Sequence, residues 1–552
     1  MTAELLLILL PEIVLAVAGV GICLGGAFAR QRVRWHATAL AVAAVAAWCL
    51  YRFGGVDRFE ALRAAAAAAG SAWLPPVAIT PWVQFARWFA IGTVGLLLAL
   101  RGGRAQHAAE AEYVGSLLLL AVGVMLAASA EDLVLLFAAL ELVSIPTYLL
   151  LGVGRTDAQG REAALKYFIL SVIASAMLVY GFAFLYGATG STRLPEMARV
   201  FAAGAPGRLA ALGLIISIVA LAFRLTAVPM HFYAPDVYQG TSLANGALLS
   251  VVPKAAGFFV LGRLLFDVVP VQAELCWRLL FALAVCSMTL GNLLALRQEN
   301  IRRMLAYSSI AQSGYMLVGF CAALAGAGGP FDGAAGPGEV AGAAAGVAAD
   351  WNGAAAVLFY LVVYAVAAIG VFAALSALEV GGRRIDRIDQ LAALAYSRPW
   401  IAAALAVCLF SLTGLPPLAG FWGKLFLFGS ALAAAVDPAG AAGTAKLFTA
   451  LAIVGVLNAA VAAAYYLRVA AVMYFQKPSS AEAAEAVEAA QPQPLARADD
   501  RTTGPAVTAL FAALLVIGLG LFAGPLHQAA RRASPTEAIA PPPAAAAPAP
   551  RE

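Results

Sequence analysis

Apolar runs of about 20 residues, the length a helix needs to cross a bilayer, recur along this chain of 552 residues. That recurrence constrains the fold more than any motif. In hydrocarbon every backbone N–H and C=O must find a partner inside the protein, and a helix supplies them within one segment. The runs lie near 4–27, 36–52, 81–100, 113–130, 132–152, 162–187, 208–228, 243–267, 275–296, 303–325, 352–379, 400–431, 447–475 and 505–525. They predict an all-α polytopic membrane protein with about fourteen transmembrane helices. The chain is 63% hydrophobic and 12% charged, where soluble proteins carry about 25% charged residues. A soluble fold would need a large dry core with almost no surface.

Composition also excludes several functions. The net charge of +5 is spread over loops, with no basic stripe and interleaved aromatics, so nucleic acid is not an expected partner. The cysteines (Cys23, Cys49, Cys276, Cys286, Cys321 and Cys408) form no CxxC pair. The four histidines, His36, His107, His231 and His527, do not join them at metal-ligand spacing. Neither a zinc site nor an iron–sulfur cluster is expected, so electron chemistry belongs to other chains. The first apolar run lacks a basic leader and exceeds a signal h-region, so it reads as a permanent helix.

Three segments are compositionally loose: 326–350, 476–504, and the Pro/Ala tail 534–552, which is expected to be disordered. Arginines gather in alternate loops: Arg30, Arg32 and Arg34; Arg101 and Arg104; Arg155 and Arg161; Arg297, Arg302 and Arg303; Arg383, Arg384, Arg387 and Arg398. The intervening loop at 129–132 carries Glu131 and Asp132. This bias predicts both termini on the outer side of a bacterial inner membrane. The seventh span is broken at Pro229 and the twelfth at Pro416-Pro417, five spans apart. An odd offset reverses direction, so two inverted five-helix repeats are expected, with a transport site where the interrupted spans meet. The expected division is helices 1–3 in 1–110, one repeat in 111–268, the second in 269–475, a loop at 476–504, helix 14 in 505–533, then the tail.

Charge inside the spans carries the functional signal. The chain has five lysines against thirty arginines, yet Lys166, Lys254 and Lys424 all lie within apolar runs. A guanidinium stays protonated in any protein setting, whereas a buried ammonium can release its proton. Lys254, in SVVPKAAGF, is mid-span behind Pro253, and Lys424 follows the broken Pro416-Pro417 segment. Charge at mid-membrane is expensive, which favours function at both. Lys166 is about one turn inside its span and could equally snorkel to the interface. Glu141 sits at the centre of the fifth span and needs a cation or a hydrated cavity. Arg224, near the end of the seventh, is its natural partner but cannot carry a proton. His231 and Asp236 follow the break, where a lone His is more often a local hydrogen-bonding group than a relay.

These residues sit in runs that resemble the N-type antiporter-like subunits of NADH-quinone oxidoreductase, respiratory complex I. The runs are LLPEIVLAV at 9–17, ELVSIPTYLLLG at 141–152, EAALKYFIL at 162–170, AVPMHFYAPDVYQG at 227–240, SVVPKAAGF at 250–258, GNLLALRQENIRRMLAYSSIAQSGYMLVG at 291–319, SLTGLPPLAGFWGKLFLF at 411–428 and YYLRV at 465–469. APDVYQG and ELVSIPTYLL differ from the wording of the L- and M-type subunits and of Mrp-type antiporters. The resemblance implies a mid-membrane proton path over Glu141, Lys166, Lys254 and Lys424. Arg224 stands where the family has a lysine, and Gln312 where a histidine is familiar. It also implies other complex I membrane subunits as partners, with NADH, FMN, iron–sulfur clusters and quinone held elsewhere in the complex. The rival expectations are an Mrp-type cation/proton antiporter, a membrane-bound hydrogenase subunit, or a structural subunit that no longer pumps.

Overall fold

A computed structural model of the chain describes residues 2–28, 34–68, 75–102, 110–155, 157–204, 207–268, 272–327, 351–379, 384–436, 442–476 and 500–534. The loop 328–350, most of 476–504, the tail after Ser534, and Arg30, Arg32, Arg104 and Arg383 lie outside the described residues. The described chain is helical, with isolated backbone bridges such as Val77 to Ala130 in place of sheet.

The helices are α1 Thr2–Ile8, α2 Leu10–Phe28, α3 Trp35–Phe53, α4 Val56–Ala68, α5 Pro81–Arg101, α6 Glu110–Ser129, α7 Leu133–Gly154, α8 Ala158–Thr189, α9 Leu194–Ala203, α10 Arg208–Leu225, α11 Ala234–Gly240, α12 Leu243–Arg263, α13 Ala273–Leu296, α14 Ile301–Ala327, α15 Gly353–Leu378, α16 Pro399–Thr413, α17 Ala419–Val436, α18 Ala442–Phe475, α19 Asp500–Leu521 and α20 Ala523–Ala533. Among the described residues thirteen spans are long and apolar enough to cross a membrane, and α16 with α17 makes the fourteenth. The last span departs from its expected start: α19 begins at Asp500, inside the segment read as a loop, and contains Pro505. Pro505 is the sixth residue of this helix, so it removes one intrahelical donor. Two helices escaped a search for membrane-length runs. In α4 the buried side are Phe59, Leu62 and Ala66, and in α9 Leu194, Met197 and Phe201. Both patterns are short amphipathic stripes lying on the bundle.

Local signals set several starts. Thr80 accepts from Val83 N–H ahead of Pro81, and Asp157 accepts from Gly160 N–H to begin α8. Asp157 also takes two hydrogen bonds from the Arg155 guanidinium, which hold its carboxyl well below the usual carboxylate range. Every residue of α12 is buried, so this helix runs through the centre of the bundle. By contrast α8 presents Leu165, Phe168, Ile169, Val172 and Ile173 outward, as a lipid- or subunit-facing helix does.

Loops meet others from their own side. On one face Arg263 joins Glu131 at 2.6 Å, and the backbones of Asp132 and Arg193 form an isolated bridge. On the other, Arg302 donates to Thr241 C=O at 2.8 Å and binds Glu379 and Asp386.

The two interrupted spans end in the same way. After α10, Thr226 has φ +57°, Thr226 N–H reaches Phe223 C=O and Ala227 N–H reaches Ala222 C=O. After α16, Gly414 has φ +93°, Gly414 N–H reaches Ser411 C=O and Leu415 N–H reaches Phe410 C=O. This is a Schellman-type terminus at both sites. Pro229 and Pro417 then stand at the same register, each three residues beyond the left-handed residue, and both follow cis peptide bonds. The two spans run in opposite directions through the bundle, which is the inverted repeat at residue resolution.

Gly414 has a second reason to be glycine. A Cβ there would lie 3.0 Å from Lys424 Cδ. Gly414→Ala is expected to lose about 1–2 kcal/mol from the left-handed backbone alone and to displace Lys424. Thermal unfolding and proton uptake by the purified assembly measure both effects; an unchanged uptake would separate the backbone turn from the lysine.

An ion pair in the N-terminal helices went unread in the sequence. Arg87 Nε donates to Glu12 Oε1 at 2.6 Å, with both side chains buried. Arg87 also donates to the carbonyls of Ile8 and Gly54, so one guanidinium ties α1, α2 and the end of α3 to α5. Glu12→Gln is expected to destabilise the protein by about 3–5 kcal/mol, the scale for stranding a buried charge. Adding Arg87→Met should recover most of that loss in thermal unfolding; a double variant as unstable as the single would contradict the pairing.

Candidate functional site

Polar groups inside the bundle form a series of hydrogen-bonded clusters, the first around Glu141 on α7. Its Oε1 accepts from Arg224 Nη2 at 3.0 Å, from Ser175 Oγ at 2.5 Å and from Ser144 Oγ at 3.4 Å. Arg224, in the last turn of α10, donates through Nη1 to Ser144 and through Nη2 to Ser175 at 3.3 Å. The planar fork thus spans two hydroxyls and a carboxylate, a geometry that one ammonium nitrogen could not reproduce. Arg224 is buried, while 23% of the Glu141 side chain is exposed at the bundle surface.

The next members meet on α14. Ser313 Oγ donates to Leu225 C=O, one of the carbonyls at the end of the broken span. One turn earlier, Ser309 receives Lys254. Lys254 Nζ donates to Ser309 C=O and Oγ, each at 2.7 Å, and to Tyr364 OH at 3.3 Å. The ammonium also lies 4.6 Å from the centre of the Tyr364 ring. Among the described residues no carboxylate pairs with it.

Gln312 continues the series toward the second repeat. Its Oε1 accepts from Tyr360 OH, and its Nε2 donates to Leu412 C=O at 3.2 Å and to Tyr466 OH at 3.4 Å. Ser308 and Tyr466 share a further hydrogen bond. Lys424, on α17, donates to Thr413 C=O at 2.9 Å and sits 4.6 Å from the Tyr315 ring centre. Tyr315 OH in turn accepts from Asn292 Nδ2 at 3.0 Å. Thus α14 reaches both broken helices, through Ser313 on one side and Gln312 on the other. Each break frees carbonyls, and polar side chains of the series take them up.

Lys166 stands apart. It bonds Glu162 Oε1 and Asp236 Oδ2, each at 2.8 Å, with 40% of its side chain exposed. Arg303 binds the other Asp236 oxygen at 2.8 Å. Glu162, Lys166 and Asp236, with Gln159, Ala163 and Gln239, line an open pocket of about 180 Å³ on the face where α7 and α8 join. His231 is half-buried beside the α10 break, and its Nδ1 has no hydrogen-bond partner among the described residues. It does not touch the series. Three or more His, Cys, Asp or Glu side chains do not converge into a metal-ligand group among the described residues.

Sequence reasoning named the ionisable groups and missed their supports: Ser144, Ser175, Ser308, Ser309, Tyr364, Tyr315 and Asn292. A spacing signal was present for the α14 set. Ser308, Ser309, Gln312 and Ser313 recur every three to four residues within an apolar run, and so share one helix face.

Fourteen spans among the described residues, with two inverted broken helices and charged side chains inside the bundle, define an antiporter-like membrane subunit. The profile of the family described as NADH:quinone oxidoreductase/Mrp antiporter, transmembrane, matches residues 130–329 and 341–449. The NADH-quinone oxidoreductase subunit N 1 of Rhizobium meliloti (strain 1021) is 32% identical over 550 residues, covering 97% of this chain and 100% of that one. Among solved structures, a chain of respiratory complex I from Thermus thermophilus with bound aureothin matches at TM-score 0.67 and 29% identity, over 94% of this chain and 98% of that one. A chain of the Mrp complex from Dietzia sp. DQ12-45-1b shares the fold at TM-score 0.71 and 22% identity, over 98% and 100% of the two chains. The chain belongs to the NADH:quinone oxidoreductase/Mrp antiporter transmembrane family, in its NADH-quinone oxidoreductase subunit N branch.

Proposed function

We propose that this chain translocates protons across the bacterial inner membrane as one membrane subunit of an NADH-quinone oxidoreductase. Its partners are the other membrane subunits, and NADH, FMN, iron–sulfur clusters and quinone are handled elsewhere in that complex. The observation that carries the reading is the state of Lys254 and Lys424. Both are buried, and both are held by neutral oxygens and aromatic faces. An ammonium so placed has no counter-charge that would bind its proton permanently, and a lysine, unlike an arginine, can give it up.

In this reading Glu141 and Arg224 form the electrostatic end of the series, and Gln312 bridges the two lysines without titrating. Lys166 belongs to the surface pocket, where protons are taken up. The segments 111–268 and 269–475 act as the two repeats. Both termini face outward, so the pocket opens inward. The test is NADH-driven proton uptake in inverted membrane vesicles: variants at Lys424 and Glu141 should lower it, and normal uptake in both would overturn the reading.

A further inference from the structure

The last span contributes no charged group to the series, yet it is fitted to the second break. Helices α19 and α20 meet at Phe522 and pack against α17, the half of the interrupted span that carries Lys424. At about 100° per residue, Trp422 and Phe426 share one side of α17 and Lys424 points the opposite way. On the lysine side α14 supplies the Tyr315 ring. On the other side Trp422 Nε1 donates to Gly520 C=O at 2.8 Å. Gly520 is in the last turn of α19, where carbonyls lack a donor within their own helix, so the bond serves both groups. The Phe426 ring stacks on the His527 imidazole of α20, with centres 4.1 Å apart and planes 25° apart. Beyond it, Asn352 Nδ2 at the start of α15 donates to Ser534 Oγ at 2.8 Å and ties down the far end of α20.

Gly520 also lies on the break itself. A Cβ there would overlap Pro417 C=O and stand 2.8 Å from Ala419 N. Pro417 and Ala419 connect Thr413, whose carbonyl accepts from Lys424, to the start of α17. An interrupted span has no continuous backbone ladder to fix its second half, so the place of α17 is set by what it packs on.

We propose that α19–α20 is a strap holding α17 where Lys424 meets Thr413 C=O and the Tyr315 ring, with Trp422 and Gly520 as its positioning residues. Neither touches the ammonium. Trp422 acts through the α17 backbone, and Gly520 acts through the Pro417 turn. The inference rests on the proton-translocating reading above, because placement matters where a proton must pass between groups in a set geometry.

The test uses the full assembly in inverted vesicles and reads proton uptake per NADH oxidised. A merely structural role lowers both rates together as less complex assembles, and leaves their ratio unchanged. Lys424→Met sets the bottom of the scale and the parent sets the top. Trp422→Phe keeps a ring and deletes the donor. Its ratio is expected to fall to between about a half and a tenth of the parent's span, the weight of one hydrogen bond. Gly520→Ala forces the strap off the turn and should approach Lys424→Met, since a misplacement of about 1 Å costs on the order of a hundredfold in transfer. A parent-like ratio in either variant overturns the strap, even where the amount of assembled complex has dropped. Should one variant fail to assemble, the ratio of the other decides, and failure of both makes α19–α20 a folding element and overturns the proposal. A parent-like ratio in Lys424→Met would overturn the translocating reading and the strap with it. A parent-like Trp422→Phe beside a deficient Lys424→Met overturns the strap alone.

Discussion

Lys424→Arg is expected to abolish most NADH-driven proton uptake although it preserves the charge. Lysine at this position is buried, donates to Thr413 C=O and faces the Tyr315 ring. None of these partners requires a proton to leave or to stay, so the transferable proton resides on the amine. A guanidinium cannot release it. It also lacks room, because Gly414 packs against the lysine stem, with a Cβ position only 3.0 Å from Cδ. Losing one proton-transfer group costs on the order of 10²–10⁴ in rate. Lys424→Ala should match Lys424→Arg in uptake and differ from it in stability, since alanine leaves a cavity and arginine overfills the site. Comparing initial uptake rates of the two variants at equal assembly decides the matter. Parent-like uptake with arginine would mean that position 424 supplies charge alone.

The second large effect is expected at Glu141. Glu141→Gln leaves the Arg224 guanidinium buried without its counter-ion, which costs about 3–5 kcal/mol in comparable buried pairs. Ser144 and Ser175 remain as neutral acceptors, so part of the loss is offset. Uptake should fall together with thermal stability. The double variant Glu141→Gln/Arg224→Met separates the two consequences: stability is expected to return toward the parent, whereas uptake is not. Recovery of both would make the pair a structural clamp. Arg224→Lys completes the comparison. It keeps the charge beside Glu141 but loses one arm of the fork across Ser144 and Ser175, so partial uptake with reduced stability is expected.

The charged members of the series were legible because each violates the composition around it. Lys254 in SVVPKAAGF and Glu141 in LFAALELVS stand out from apolar spans, and lysine stands out from an arginine-rich background. The hydroxyls did not stand out. Ser309 looks like any serine in a membrane helix until Lys254, 55 residues away in sequence, is placed 2.7 Å from it. The Glu12–Arg87 pair was obscured for the same reason, since its members lie 75 residues apart in sequence. The sequence left Lys166 even between the interface and the path, and the structure places it at the bundle surface, where it meets Glu162 one turn back and Asp236 across the pocket.

Span number, the two interruptions and the identity of the ionisable residues were determined by sequence alone, because crossing length, proline and charge in an apolar run are local properties. Only the tertiary structure decided that α14 serves both breaks and that Arg224 forks over two serines. Those facts depend on how helices distant in sequence rotate against one another. In a bilayer that rotation is set by packing and hydrogen bonding between faces, which hydropathy along one chain does not encode.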